Sequence, residues 1–540
     1  MHAIAGSQSV NSSRKTNQFS SVGGLVWIAF VISVSHMMAA GASLWAQQSG
    51  SRYNSGDDLW IQNQLPKGAY ARYGAMGRNP NAIGIELLRF SNNGKFLAAK
   101  DQRDSIRILD LENKTLAAVL RTESHRDFVF TPDDKFIAVG NRKEVQIWDI
   151  EKQKDVRTIA QPGYLLAASS STSELLIANR GKLFRYRWPL PSEPATLQTT
   201  LNGIIQPAGL SSDGSLVLFH NGSQSELFKT DSGIPVDNAD GIIVRQSTFS
   251  KDSTRLAVFA IGNQQLDYLD LRNAKKYRYD LREGKRFYAA AFSIDNRFLF
   301  TSNLDNQIVV WDLVTKSVVA RVTGHDSKIA ALAVPNTGLL RLASGASGVH
   351  DRSVIFWDLR DRIFPPIEVL GEFDLDAIWK DLGSRDAKKS LTATNLLFRS
   401  LREEPSRNAM LVAKLPLSKV DDAVPRLIAE LDSPKFRVRE NAMESLLEMV
   451  ELIRPQLERR LEDSSQEAKW RIQNVLKSRE EKPLDLNEND RRLNRTILAL
   501  ELCADEESKK TLRLLAEFCQ AKNVVDEARS ALRRLEEYTQ

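Results

Sequence analysis

The chain has 540 residues, more than one hydrophobic core accommodates, so two or three domains are expected. Apolar residues at 42% and charged residues at 26% are ordinary globular values and exclude a disordered chain. The net charge of +6 is small for this length, with acids among the bases throughout, and gives no reason to expect nucleic-acid binding.

In chain order, the first segment reads as an address. Arg14 and Lys15 precede an uncharged stretch from Thr16 to Gln48, whose apolar centre runs from Leu25 to Ile32, and the small residues Ala39, Ala40, Gly41 and Ala42 follow. Positive charge, apolar centre and small residues in that order predict a secretory signal, with Ala40 and Ala42, or Leu44 and Ala46, flanking the cut. Gly23 to Ala46 is also nearly long enough to span a bilayer, so an uncleaved anchor is the alternative. Residues 1–46 are expected to be a signal peptide or membrane anchor and residues 47–64 a linker. The remainder is then exported, to the periplasm or cell envelope.

A repeat follows. Phe90-Ser91-Asn92-Asn93-Gly94 returns as Phe130-Thr131-Pro132-Asp133-Asp134, Leu210-Ser211-Ser212-Asp213-Gly214, Phe249-Ser250-Lys251-Asp252-Ser253 and Phe292-Ser293-Ile294-Asp295-Asn296, with fainter copies from Ala168 and Ala333. The spacing is close to the roughly 40 to 45 residues of a four-stranded propeller blade. Each unit reads as an apolar strand, an Asp/Asn/Gly turn, a second strand, and a third ending in an aromatic or Leu followed by Asp, as in Leu109-Asp110, Trp148-Asp149, Leu269-Asp270, Trp311-Asp312 and Trp357-Asp358. The other two units offer Trp188-Pro189 and Phe228-Lys229.

Pro365 and Pro366 end this grammar, and from Asp374 onward the spacing is helical. Val424, Leu427, Ile428 and Leu431 form one stripe; Asp432-Ser433-Pro434 breaks the chain; Phe436, Ala442, Met443, Leu446, Leu447 and Val450 form a second. Such a helix pair resembles a HEAT-type unit. Further helices are expected near Ile378 and over 387–401, 467–477, 493–502, 511–518 and 525–538. Cys503 and Cys519 should end successive helices about 18 Å apart, at roughly 1.5 Å rise per residue, beyond disulfide reach. His125, His220, His325 and His350 stand singly, without metal-ligand spacing. No catalytic residue, cofactor or metal site is assigned.

The repeats resemble the WD-repeat family, and the whole arrangement resembles exported bacterial WD-repeat proteins. Leu65-Pro66-Lys67-Gly68-Ala69-Tyr70-Ala71-Arg72 before the first blade, and Ile428 to Glu440 in the tail, carry the wider likeness. It implies a multi-domain chain: an all-β seven-bladed WD-type propeller over residues 65–370, followed by an all-α HEAT-like region over 371–480 and a helical hairpin or bundle over 481–540. It also implies a structural tetrad in the last blade, His325, Ser344, Asp351 and Trp357. The same His-Ser-Asp grouping could be mistaken for a hydrolase triad, but no Gly-x-Ser-x-Gly surrounds Ser344.

The expected function is a non-catalytic protein-protein interaction scaffold, with partner proteins of unstated identity and no nucleic acid. An enzyme site converging in the propeller channel and polyanion binding are the alternatives. Charge is concentrated once, over 272–286, with seven bases against two acids. There Lys275, Lys276, Tyr277, Arg278, Lys285 and Arg286 either meet an anionic partner or protect an outer strand from edge pairing.

Overall fold

A computed structural model describes residues 60–61, 65–74, 84–121, 127–169, 173–179, 182–189, 195–197, 206–220, 225–236, 244–260, 265–271, 275–280, 287–367, 373–417, 420–461, 464–477, 486–519 and 521–537. The expected signal or anchor over 1–46 lies outside the described residues.

Seven antiparallel sheets follow one another along the chain. Their first strands are Ile85–Phe90, Asp127–Phe130, Leu165–Ser169, Gln206–Leu210, Val244–Phe249, Ala290–Phe292 and Ile329–Ala333. Each lies beside the next, and the last beside the first, so the blades close a ring. The blades are numbered 1 to 7 in that order. Second strands such as Phe298–Ser302 are buried along their whole length, because neighbouring blades cover both faces; that is why they read as continuous apolar runs.

The repeated Phe-Ser-x-Asp signature has a hydrogen-bonding cause. Ser91, Thr131, Ser211 and Ser250 each donate a side-chain hydroxyl to the Asn or Asp two residues on, at 2.6 to 2.8 Å. Each hydroxyl also accepts the backbone N–H five residues on, that of Phe96, Phe136, Leu216 and Arg255. The residue three places after each is left-handed, Gly94 at φ 71°, Asp134 at 56°, Gly214 at 71° and Ser253 at 58°. Gly, Asn and Asp enter this region at least cost, which explains the composition of the turn. The Asp of Trp-Asp caps the next turn: Asp149 accepts from the N–H of Lys152 at 2.9 Å and Asp312 from that of Thr315 at 3.0 Å.

Ring closure uses the N-terminal side of the propeller. Ala69–Tyr73 pairs antiparallel with the last strand, Val354–Asp358, as the outer strand of blade 7. Trp60 and Ile61, expected in the linker, add a fifth strand to that sheet. Trp60 does so because its ring stacks on Phe356 at 5.4 Å and meets Tyr73 edge-on at 5.5 Å.

The helices are α1 (Arg360–Ile363), α2 (Leu375–Leu382), α3 (Ala387–Glu403), α4 (Asn408–Val412), α5 (Val420–Glu430), α6 (Phe436–Arg460), α7 (Gln466–Lys477), α8 (Glu488–Cys503), α9 (Glu506–Phe518) and α10 (Lys522–Glu537). Asp374, Asp386, Asn487 and Asp505 start α2, α3, α8 and α9 by accepting orphan backbone N–H groups. These helices divide into two cores, and the division does not fall at 480/481. Leu382, Leu397, Leu401 and Leu411 pack with Leu493, Ile497, Leu512 and Val524. Leu427, Leu431, Leu446, Ala468 and Ile472 pack together as a separate group. The stripes of α5, α6 and α7 satisfy one another, so α3 is left to pair with α8 across the intervening sequence. Leu391 of α3 and Leu498 of α8 also enter the core of blades 6 and 7, beside Leu340, Trp357 and Leu359. Cys503, at the end of α8, and Cys519, just past α9, form no disulfide. No helix among the described residues is long and apolar enough to cross a membrane.

Candidate functional site

Blade 7 brings His325, Ser344, Asp351 and Trp357 into one chain of hydrogen bonds. His325 Nδ1 lies 2.7 Å from Asp351 Oδ2, His325 Nε2 lies 2.7 Å from Ser344 Oγ, and Trp357 Nε1 donates to Ser344 Oγ at 2.7 Å. Proton placement follows from the acceptor. Nδ1–H donates to the carboxylate, Nε2 then accepts from the Ser344 hydroxyl, and that oxygen accepts from the indole. Ser353 adds its backbone N–H and hydroxyl on Asp351 Oδ1, at 2.9 and 2.7 Å. The distances are those of a Ser-His-Asp triad, but Ser344 and Trp357 are both 0% exposed, and no substrate carbonyl can reach Ser344 Oγ. Blade 6 keeps half of the arrangement, with Trp311 Nε1 donating to Thr301 Oγ1 at 2.9 Å.

Burial pushes the Asp351 carboxyl up, but the His325 and Ser353 hydrogen bonds outweigh it and hold the group at about 2. A folded-state value below the unfolded one contributes stability that is complete above the ordinary carboxylate range of about 4. That contribution is lost as the pH falls from there through about 2. Thermal melts of wild type and Asp351→Asn should therefore differ most above pH ~4 and converge towards pH ~2. A gap that stays constant with pH would contradict this assignment.

The basic stretch is divided. Lys275–Asp280 forms the outer strand of blade 5, paired with Gln265–Asp270. Lys285 and Arg286 lie outside the described residues.

Around the ring axis, the ionisable side chains described on first strands are those of Glu86, Arg89 and Asp127. Arg89 donates to Asp127 at 3.1 Å and to the Leu166 carbonyl at 3.0 Å, while the Leu166 N–H donates to Asp127 at 2.8 Å. This closed loop staples blades 1, 2 and 3. Glu86 is paired with Lys100 at 2.9 Å. Among the described residues no group of three or more His, Cys, Asp or Glu could hold a metal ion. Burial pushes the Cys503 thiol up to about 12, which leaves it protonated and a poor nucleophile.

Among the described residues, a dense charge cluster joins the propeller to the helices, and sequence reasoning missed it. Arg297 leaves the first turn of blade 6, where other blades place Lys95, Lys135 or Ser215 in the open. Here it is 2% exposed and bonds Asp295 at 3.1 Å, Glu501 of α8 at 2.8 Å and Glu527 of α10 at 2.9 Å. Arg534 of α10 binds Glu501 at 2.6 Å and Glu527 at 3.0 Å. Burial raises the Glu527 carboxyl, but Arg297 and Arg534 prevail and hold it at about 2. Arg495 of α8 reaches Asp312, the Asp of the blade 6 Trp-Asp. The signal in the sequence was Glu501 itself, a lone acid in the apolar run Ile497-Leu498-Ala499-Leu500-Glu501-Leu502.

These contacts give the propeller two unlike faces. The helices seal the face that carries the first-to-second and third-to-fourth turns at blades 6 and 7. The opposite face carries the second-to-third turns, with Leu304 in blade 6 and Val349 in blade 7, 48% and 46% exposed.

A family model described as WD domain, G-beta repeat matches residues 282–312 and 316–358, the stretch of blades 6 and 7. Fold and match together define the class, a seven-bladed β-propeller carrying WD repeats and followed by a helical region. Among solved structures, the β-propeller domain of Cps50 (Swd1) from Myceliophteria thermophila is similar at 15% identity and a TM-score of 0.41, over 50% of this chain and 96% of that one. No curated protein matches the chain.

Proposed function

We propose that the chain is a non-catalytic protein-protein interaction scaffold acting outside the cytoplasm, presenting partners with one propeller face and a helical surface. The observation that carries this reading is the asymmetry of the two faces. One is closed at blade 6 by a buried ion cluster and at blade 7 by Leu391 and Leu498. The other offers Leu304 and Val349 on neighbouring turns, on loops that vary without disturbing the blades. WD-type propellers are generally scaffolds, and the grouping that resembles a triad is sealed inside blade 7. Export is supported by the charge and apolar order of residues 1–46. An anionic partner along Lys275, Lys276 and Arg278 belongs to the same proposal, supported by the seven bases against two acids of 272–286.

The test is affinity capture with the full chain and with a Leu304→Asp, Val349→Asp double variant. Both positions are exposed, so unfolding should change by less than about 0.5 kcal/mol per site. The partner captured by wild type should be lost from the variant. A partner captured equally by both would place the interface elsewhere.

A further inference from the structure

The group formed by α5, α6 and α7 closes a core of its own, yet leaves two large rings in solvent. Phe436, expected in the buried stripe of α6, is instead its first residue, ahead of the core, and is 65% exposed; Trp470 in α7 is 56% exposed. They are not independent. Arg471 bonds Glu440 of α6 at 2.7 Å and Glu467 of its own helix at 2.8 Å, and Arg439 approaches Glu467 at 3.8 Å. The Arg439 guanidinium lies 5.8 Å from the Phe436 ring centroid, and that of Arg471 5.8 Å from the Trp470 ring. One ion network thus ties the two ring-bearing turns together and holds each ring against a cation. A pre-ordered aromatic loses little conformational freedom on binding, which is what makes such residues effective anchors.

The charge around the rings has a sign. Residues 432–440 and 465–471 contain five bases, Lys435, Arg437, Arg439, Lys469 and Arg471, against Asp432, Glu440 and Glu467. Asp432 accepts from the Ser465 hydroxyl, and Glu440 and Glu467 are engaged with Arg439 or Arg471, whereas Lys435 and Arg437 are exposed beside Phe436. We propose that this surface docks an acidic polypeptide segment whose apolar side chains lie on Phe436 and Trp470 and whose carboxylates meet Lys435 and Arg437. A polypeptide fits better than a continuous polyanion, because Glu440 and Glu467 keep 42% and 52% of their side chains exposed between the rings' supports and repel an unbroken row of negative charge. This surface shares no residue with the propeller face, so the two fail separately.

The experiment measures fluorescence anisotropy of a labelled acidic amphipathic peptide of about 15 residues, Glu-rich with Leu at helical spacing, titrated with the full chain. Saturable binding is expected, weakened by about tenfold or more in Phe436→Ala, Trp470→Ala. A similar loss is expected in Lys435→Glu, Arg437→Glu, and when the peptide's Leu residues become Ser. Thermal melts confirm that these surface variants stay folded. Leu304→Asp, Val349→Asp should bind the peptide as wild type does. The proposal is overturned if binding is absent, if it is indifferent to loss of the rings, if it is lost in the propeller-face variant, or if anionic phospholipid vesicles are bound through the same residues and the peptide is not.

Discussion

Trp357→Ala should lower the stability of the propeller by about 3 to 5 kcal/mol, the range for truncating a large buried aromatic. The packing loss dominates. Trp357 is fully buried against blade 6, blade 7 and the two helices that lean on them, while the hydrogen bond it gives Ser344 contributes at most about 1 to 3 kcal/mol of that figure as an unsatisfied partner. Trp311→Ala provides the internal comparison. Trp311 is 8% exposed and donates to Thr301 without a histidine and aspartate behind it, so its loss should cost less. Chemical denaturation of both variants measures the difference. An unchanged midpoint for Trp357→Ala would remove the tetrad as the lock on blade 7, and equal losses would assign the effect to packing alone.

Glu501→Ala should have the second largest effect, because it removes the carboxylate that two buried guanidinium groups share. Arg297 and Arg534 each lose their shared carboxylate in a site where Arg297 is 2% exposed. Breaking a buried ion pair on one side typically costs about 3 to 5 kcal/mol; Arg297 keeps Asp295 and Glu527, and Arg534 keeps Glu527, so the loss should fall at or below the lower end of that range. The expected readout is a lower unfolding midpoint together with faster proteolysis between blade 7 and α2, as the helices lift from blade 6. Replacing the cluster as a whole, Asp295→Asn, Arg297→Met, Glu501→Leu, Glu527→Met and Arg534→Met, should cost less than Glu501→Ala alone, because no charge of the cluster is then left unpaired. A quintuple variant weaker than the single one would show that the pairs attract by more than their desolvation costs.

The blades were legible because each repeats a local device. Ser91, Thr131, Ser211, Ser250 and Ser293 all close the same turn through the same hydroxyl, so five independent copies announced themselves in the sequence. The helices were legible for a similar reason, since Leu427, Leu431 and Leu446 keep the period that buries them. What could not be read was everything joining distant segments. Trp60 and Ile61 look like linker until the edge of blade 7 is there to receive them. The pairing of α3 with α8 skips α5, α6 and α7, which satisfy one another. Arg297 occupies a turn position that is exposed in blades 1 and 2, and only the acids of α8 and α10 make it a buried lock. The site followed the same rule. The spacing from Asp351 to Trp357 is local and visible, whereas the closed Arg89, Asp127 and Leu166 loop needs three blades in register.

The most direct test of the account is hydrogen exchange on the full chain, alone and in complex with its captured partner. The scaffold reading with one sealed face predicts new protection in the turns at 303–306 and 347–353, where Leu304 and Val349 stand exposed, and none at 293–297, which α8 and α10 already cover. Protection gained at 293–297 with the turns unchanged would mean that the partner displaces the helices and binds the face they seal, and would contradict the account.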